Sequence, residues 1–164
     1  MPTLTRQSNL NPKIASLYFK RAHAYASKRA YDQAIADYTR AIGLNPAYAH
    51  AYAFRGISRA GKNDYDQAIT DFTKAVELDP TYGNAFYYWG VAYYNKNAFD
   101  LAIADYAKAL ELDPKDAHVY LSRGNTFEAL RRKDEAIADH RRASSLKPDM
   151  KESAEGLKRL GATP

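Results

Sequence analysis

The sequence predicts an all-α fold, a right-handed α-solenoid of four stacked helix-turn-helix hairpins with a C-terminal capping helix. The first observation is a series of prolines at a constant interval of 34 residues: Pro12, Pro46, Pro80, Pro114 and Pro148. The second is that glycines recur at the same interval, as Gly56, Gly90 and Gly124. A period of this length predicts one helical hairpin copied several times, and each copy buries its apolar face only by stacking on its neighbours.

Within each copy, the spacing of apolar and small residues predicts two helices. The first helix has them at the i, i+3, i+4 and i+7 positions of one face, and the second helix repeats that kind of face. Small residues let two helix backbones approach, and aromatic side chains fill the space between them. The recurring proline ends the second helix because it lacks an N–H and restricts the residue before it. In the third copy these positions hold Phe86, Trp89, Gly90, Tyr93, Ala102, Tyr106, Ala109 and Pro114.

This pattern resembles the tetratricopeptide repeat. The resemblance covers nearly the whole chain and gives four repeats, at residues 15–48, 49–82, 83–116 and 117–150. It implies that the first helices of successive repeats line a concave groove. It is specific for the fold and not for a partner, because one solenoid fold serves many partners.

Both ends of the chain depart from the repeat. Residues 1–14 form an N-terminal segment, and its residues 1–12 end in Leu10-Asn11-Pro12, like the end of a preceding repeat. This segment is either the decayed remnant of a repeat or the cut end of a longer array. Residues 149–160 are predicted to form a capping helix, because a solenoid needs a terminal helix with a polar outer face. Its predicted apolar stripe consists of Met150, Ala154, Leu157 and Leu160.

Composition limits the class of protein. The chain has no cysteine, which excludes disulfides and thiolate metal sites. Its first residues lack the apolar core of a signal peptide, and its longest apolar stretch, residues 85–94, is too short to cross a bilayer. We therefore expect a cytoplasmic protein with no transmembrane segment, unless a leader has been removed.

The net charge of +5 is concentrated late in the chain, at residues 131–133 and 140–142. A solvated basic face is the expected interpretation. The alternative is a contact for an acidic protein, an anionic membrane or a nucleic acid. Nucleic-acid binding is not expected, because these charges lack the aromatic spacing of a known nucleic-acid module.

Four aspartates recur in one register of the second helices: Asp37, Asp71, Asp105 and Asp139. A carboxylate present in every copy indicates a role in packing and not in acid–base catalysis. Each has a basic residue three positions later, namely Arg40, Lys74, Lys108 and Arg142, which predicts helical i, i+3 pairs.

Arginine replaces the leucine of the family pattern in three first helices, as Arg21, Arg55 and Arg123. We predict that these arginines pair with the recurring aspartates across the hairpin, since an arginine on a packed face requires a carboxylate. Trp89 takes the place of the arginine in the third repeat, which leaves Asp105 without that partner.

The sequence contains no catalytic constellation. It has no glycine-rich phosphate loop, no GxSxG and no HExxH. His50 and His118 share a register but lie two repeats apart, too far for one zinc ion. We therefore expect no enzyme activity, no metal site and no cofactor.

The resemblance implies that the groove-facing positions of the first helices carry the binding site. These positions hold Phe19, His23, His50, Phe54, Ile57, Asn84, Tyr87, Tyr88, Val91, Tyr94, Asn95, His118, Leu121, Ser122 and Asn125. They do not match the lysine, arginine and asparagine pattern with which some family members clamp the carboxylates of a peptide terminus.

The resulting groove is largely uncharged and aromatic, so we predict a protein-interaction scaffold or adaptor that binds a peptide segment with apolar anchors. The identity of the partner is left open. Three alternatives stand beside this prediction. The aromatic residues could serve only the core between repeats, the chain could assemble with itself as a homo-oligomer, or it could be the targeting module of a larger protein.

Overall fold

Helices account for most of the residues that the structure describes. The computed structural model describes residues 11–163, and within that range the chain forms nine α-helices and no strand. The helices are α1 (Pro12–Ser27), α2 (Tyr31–Leu44), α3 (Ala49–Ala60), α4 (Tyr65–Leu78), α5 (Gly83–Asn95), α6 (Phe99–Leu112), α7 (Ala117–Ala129), α8 (Lys133–Leu146) and α9 (Lys151–Arg159). The predicted all-α class of helical hairpins is confirmed. The boundaries of the four repeats stay a prediction, and most of the N-terminal segment (residues 1–10) lies outside the described residues.

The chain forms two compact units, Met1–Asp79 and Pro80–Pro164. In the first unit, α1 pairs with α2 and α3 with α4, and α3 also packs on α2. In the second unit, α5 pairs with α6 and α7 with α8, while α7 packs on α6 and α9 packs on α8. Each unit is therefore a stack of two hairpins, and the second unit carries one further helix.

Glycines at the crossing points explain the close approach of paired helices. A Cβ atom built on Gly90 would lie 2.7 Å from Cε1 of Tyr106, and one built on Gly56 would lie 2.8 Å from Cε1 of Phe72. The recurring aromatic of the second helix thus fills the space that the glycine of the first helix leaves open.

The turn inside each hairpin uses a left-handed residue at the same place in every copy. These residues are Arg29, Asn63, Asn97 and Arg131, with φ between 58° and 65°. Asparagine adopts this conformation more readily than other residues with a side chain, while arginine is less suited to it. The turn is set by the geometry of the hairpin more than by the residue that occupies it.

The predicted arginine–aspartate pairs across the hairpins are confirmed. The distance from Nη2 of the arginine to Oδ1 of the aspartate is 2.9 Å for Arg21–Asp37, 2.7 Å for Arg55–Asp71 and 2.8 Å for Arg123–Asp139. In each pair Nε also donates to the carboxylate. Hydrogen bonds from Arg21 hold the pKa of Asp37 below its ordinary value.

The predicted i, i+3 pairs are mostly wrong. Arg40 does approach Asp37, at 3.3 Å. Lys74 and Lys108 instead pair with glutamates one turn further on, Glu77 at 3.0 Å and Glu111 at 2.6 Å, while Arg142 lies over the ring of Tyr120. The exposed glutamates are easier for a hydrated ammonium group to reach than the aspartates, since Asp71 is buried and Asp105 is half-buried.

Asp105 is left without a partner, as predicted. No group in residues 11–163 forms a hydrogen bond to its buried Oδ2 atom. Trp89 stacks between Phe86 and Tyr93, with ring centroids 6.3 Å and 6.1 Å away, and its own Nε1–H is also buried without an acceptor. Burial raises the pKa of Asp105 to about 7.

The terminal helix α9 packs on α8 through a face that differs in part from the predicted stripe. Met150 and Leu157 are buried as predicted, but Ala154 is exposed, and the small residues Ser153 and Gly156 are buried instead. Gly156 lies on the packed face because the ring of His140 in α8 leaves no room for a side chain there. A Cβ atom on Gly156 would come within 2.7 Å of that ring.

A polar bridge also joins α9 to the last hairpin. The buried Nε2 atom of His140 lies 2.7 Å from Oε1 of Glu128, and Nη2 of Arg159 donates to that same oxygen at 2.8 Å. One carboxylate therefore links α7 to both α8 and α9.

Candidate functional site

The predicted groove residues of the first unit lie on α1 and α3, where two phenylalanines meet. The ring centroids of Phe19 and Phe54 are 5.5 Å apart, and His23 lies 5.3 Å from Phe54. Phe19 and Phe54 are half-buried against the core residue Tyr38, while His23 is exposed. His50 is exposed and Ile57 is half-buried on α3. The two phenylalanines therefore contribute to the core as well as to the surface.

The predicted residues of the second unit lie on α5 and α7 and come closer together. Tyr87 and Tyr88 are in edge contact, with ring centroids 5.0 Å apart. The hydroxyl of Tyr87 lies 3.4 Å from that of Ser122 on α7. Burial raises the pKa of Tyr88, so its phenol stays neutral at physiological pH.

Six of these residues share one cavity, which we call the socket. Its volume is about 290 Å³, and it is lined by Tyr87, Val91, Tyr94, Asn95, Tyr106, Ser122 and Asn125. Asn95 donates from Nδ2 to the carbonyl of Val91 at 2.8 Å, which holds its side chain against α5. No charged side chain is among the lining residues.

Tyr106 is the lining residue that sequence reasoning did not include. It belongs to α6, in the register of aromatics that fill the space beneath the glycines, and it was therefore assigned to the scaffold alone. The sequence carries no signal that sets it apart, since the equivalent residues of the first two repeats are the aromatics Tyr38 and Phe72.

The remaining predicted residues lie outside the socket. Asn84 lines a separate cavity of about 200 Å³, next to Tyr87 and the turn between α6 and α7. Leu121 packs against the cluster formed by Ala117, Ala143 and Met150, and His118 is exposed at the start of α7. Leu121 therefore contributes at least in part to the core next to the terminal helix.

The described part of the chain offers no metal centre. Within residues 11–163, no three histidine, aspartate or glutamate side chains are grouped closely enough to hold a metal ion. None of the helices in that range combines the length and the apolar composition that crossing a bilayer requires.

Comparison with known proteins identifies the family. The model of the tetratricopeptide repeat matches residues 19–83, 55–117 and 87–150, which together span most of the chain. The chain belongs to the tetratricopeptide repeat family. Proteins of this family are protein-interaction modules, and their fold is generally a non-catalytic scaffold. A search of the curated proteins gave no match.

Solved structures of tetratricopeptide repeat proteins are similar to the chain. The TPR domain of Arabidopsis OM64 is 28% identical, with a TM-score of 0.66, over 68% of this chain and 93% of that one. The first TPR of Spaghetti (RPAP3), bound to the HSP90 peptide SRMEEVD, is 23% identical, with a TM-score of 0.73, over 75% and 98%. MamA is 22% identical, with a TM-score of 0.81, over 90% and 81%. The last two likenesses show the fold alone.

Several basic residues near the end of this tetratricopeptide repeat protein already have partners within the chain. Arg132 pairs with Glu135 at 2.8 Å and lies 4.7 Å from the ring centroid of Phe127. Arg159 pairs with Glu128, and Arg141 donates to the carbonyl of Thr163. Part of the late positive charge therefore has a structural role.

Proposed function

We propose that this chain is a non-catalytic adaptor that binds a peptide segment with apolar anchors on the inner faces of its first helices. The observation that carries the proposal is the socket, where predicted groove residues from α5 and α7 line a single cavity. Half-buried aromatic side chains around a cavity are the kind of surface that supplies binding hot spots.

The chemistry of the socket favours an uncharged segment over an acidic one. An acidic peptide such as SRMEEVD, the ligand in the RPAP3 complex, offers carboxylates that require cationic partners. No lysine or arginine lines the socket. A carboxylate brought into this surface would lose its water without gaining a partner, which disfavours its binding.

The first experiment is a peptide selection with the purified chain, followed by affinity measurements on substituted chains. We expect Tyr88→Ala to weaken the selected peptide by about 30-fold, the equivalent of a hot-spot loss of about 2 kcal/mol. Phe54→Ala should weaken a peptide that is selected by the first unit to a similar extent. Fluorescence anisotropy measures both affinities, and circular dichroism verifies that each variant is folded.

Leu101→Ala is the matched control for this experiment. Leu101 is a large apolar residue of α6 that is 51% exposed and does not belong to the predicted groove. Its truncation should leave the affinity unchanged. Unchanged binding by folded Tyr88→Ala and Phe54→Ala chains would contradict the proposal, and a loss with Leu101→Ala would move the site to α6.

Self-assembly is a second candidate function, and the outer face of α1 favours it. Leu17 is 65% exposed and Ile14 is 43% exposed, and both line a cavity of about 300 Å³ with Tyr18 and Arg21. The equivalent faces of α3 and α7 pack on a preceding helix. A second copy of the chain could cover the face of α1 in the same way.

Sedimentation velocity across a range of concentrations tests this candidate. If α1 mediates assembly, the sedimentation coefficient of the wild-type chain rises with concentration, and Leu17→Glu removes the rise by placing a charge in the contact. A wild-type chain that stays monomeric at high concentration, or a Leu17→Glu chain that still associates, would count against α1 as the assembly surface.

A further inference from the structure

We propose that the peptide bound on α5 and α7 places a positively charged side chain, from an arginine or a lysine, against the carboxylates of Asp113 and Asp116. This inference rests on the proposed function and specifies the charge that accompanies the apolar anchor. The two aspartates flank the turn between α6 and α7. Together with Thr81, Asn84, Tyr87 and Leu112 they line the cavity of about 200 Å³ beside the socket, which we call the acidic pocket.

The negative charge of the acidic pocket is not neutralised by the described part of the chain. Asp113 and Asp116 are the charged residues among its lining, and none of the ion pairs within residues 11–163 includes either of them. Lys115 lies between them in the sequence, but it donates only its backbone N–H to Oδ1 of Asp113, at 3.0 Å. A concave surface that carries uncompensated carboxylates attracts a cation.

The carboxylate of Asp116 is not required by the repeat. The residues at the equivalent place before α3 and α5 are Tyr48 and Tyr82, and both helices begin without a hydrogen bond from a capping side chain. Asp116 does cap α7, because its Oδ1 atom accepts from the backbone N–H groups of His118 and Val119. That role needs a side-chain oxygen and no charge, so asparagine would fulfil it equally well.

Tyr87 joins the acidic pocket to the socket, because it lines both cavities. The neighbouring ring of Tyr88, with its centroid 5.0 Å from that of Tyr87, lies within the influence of the carboxylate. Burial is the main cause of the raised pKa of Tyr88, and the negative charge of Asp116 contributes to it. A peptide whose apolar anchor occupies the socket therefore has its adjoining residues next to the two aspartates.

The size and walls of the acidic pocket suit the end of one long basic side chain. Pockets for whole small-molecule ligands span roughly 300–1,000 Å³, and this cavity of about 200 Å³ is smaller. Leu112 is 39% exposed, so it offers apolar contact to a methylene stem, while the carboxylates accept from the charged end. A glutamate side chain of the same peptide would instead be repelled.

An NMR titration of the ¹⁵N-labelled chain tests the proposal with three dipeptides, namely N-acetyl-phenylalanyl-argininamide and its counterparts with glutamine and glutamate in place of arginine. We expect the arginine dipeptide to shift the amide signals of Asn84 and Asp116. It should bind about 5-fold more tightly than the glutamine dipeptide, the equivalent of about 1 kcal/mol, and the glutamate dipeptide should bind most weakly. Raising the NaCl concentration from about 50 mM to about 500 mM should remove most of this preference.

The double substitution Asp113→Asn with Asp116→Asn is the decisive variant, because it removes the charge and keeps both hydrogen-bond acceptors. Asn45, in the register of Asp113, already accepts the equivalent backbone N–H bond at 3.2 Å. This variant should bind the arginine and glutamine dipeptides equally. The matched control is Asp100→Asn with Asp134→Asn, which removes the same charge from exposed residues outside the acidic pocket and should keep the preference. If circular dichroism shows that the decisive variant is unfolded, the salt series on the wild-type chain decides.

The outcomes separate this inference from the proposed function. The cation assignment is wrong if the arginine and glutamine dipeptides bind the wild-type chain equally, or if the preference survives the double substitution or high salt. It is also wrong if no dipeptide shifts the signals of Asn84 and Asp116. Binding of the selected peptides to α5 and α7 would in each case still support the adaptor function. If the selected peptides also shift no signal on these helices, both proposals are wrong for this unit.

Discussion

Replacing Asp71 by asparagine should lower the free energy of unfolding by about 3–5 kcal/mol, the usual loss when one partner of a buried ion pair is removed. Asp71 accepts from Arg55 and Arg59, whose side chains are only 13% and 18% exposed. Without the carboxylate, two guanidinium groups stay buried with no opposite charge. Urea unfolding of Asp71→Asn at pH 7, followed by circular dichroism, measures the loss.

The equivalent substitution in the first repeat provides the control. Asp37 is as deeply buried as Asp71, but its partners Arg21 and Arg40 are 53% and 60% exposed. Water can solvate these two cations after Asp37→Asn, so we expect a loss of about 1 kcal/mol, within the range for exposed pairs. Equal losses for the two variants would show that the burial of the arginines does not determine the energy.

These ion pairs illustrate what repetition allows a sequence to predict. A constant spacing between Arg55 and Asp71, repeated in two other hairpins, places both groups on facing helices whatever their neighbours are. The partners of Lys74 and Lys108 could not be predicted in this way. A flexible ammonium group on the surface can pair either with the aspartate or with a glutamate one turn further on. The two ion pairs differ in energy by only a fraction of a kcal/mol.

The terminal helix shows a second limit of sequence reasoning. Hydrophobicity assigned Ala154 to the packed side, whereas the packed residues include Ser153 and Gly156. The deciding factor is space, because the ring of His140 requires a neighbour without a side chain. Apolar patterning identifies the existence of such a helix better than the exact face that it buries.

For the candidate site, the register predicted residues on the first helices of the hairpins but could not distinguish core from surface. Phe19, Phe54 and Leu121 were predicted as groove residues, and each also packs against buried clusters. Tyr106 shows the opposite case, since a residue of the repeated scaffold lines the socket. A residue that is repeated for packing can therefore also line a cavity, and the sequence alone does not show which of its atoms reach that cavity.

The substitution Asp105→Asn should have the opposite effect to Asp71→Asn and stabilise the chain at neutral and alkaline pH. The pKa of Asp105 is raised to about 7 in the folded chain by burial, whereas an unfolded aspartate titrates near 4. The folded state therefore holds a proton that the unfolded state releases between these values. The stability that this proton provides is complete below about pH 4 and is lost as the pH rises through about 7.

The size of this effect follows from the two pKa values. A shift of about three units corresponds to about 4 kcal/mol, and the partial exposure of Asp105 reduces the expected gain for Asp105→Asn to about 1–2 kcal/mol at pH 8. At pH 4 the variant and the wild-type chain should be nearly equal, because the carboxyl group is then protonated and neutral in the folded state. Urea unfolding at several pH values between 4 and 8 measures the difference.

Asp100→Asn is the matched control for this pH series, because Asp100 is an exposed carboxylate on the same helix, α6. It should leave the dependence of stability on pH almost unchanged. If Asp105→Asn and the wild-type chain lose stability in parallel between pH 5 and 8, Asp105 is ionised in the folded state without penalty. The presence of Trp89 in place of an arginine would then carry no electrostatic cost for Asp105. Its effect on stability would come only from the packing of Trp89 between Phe86 and Tyr93.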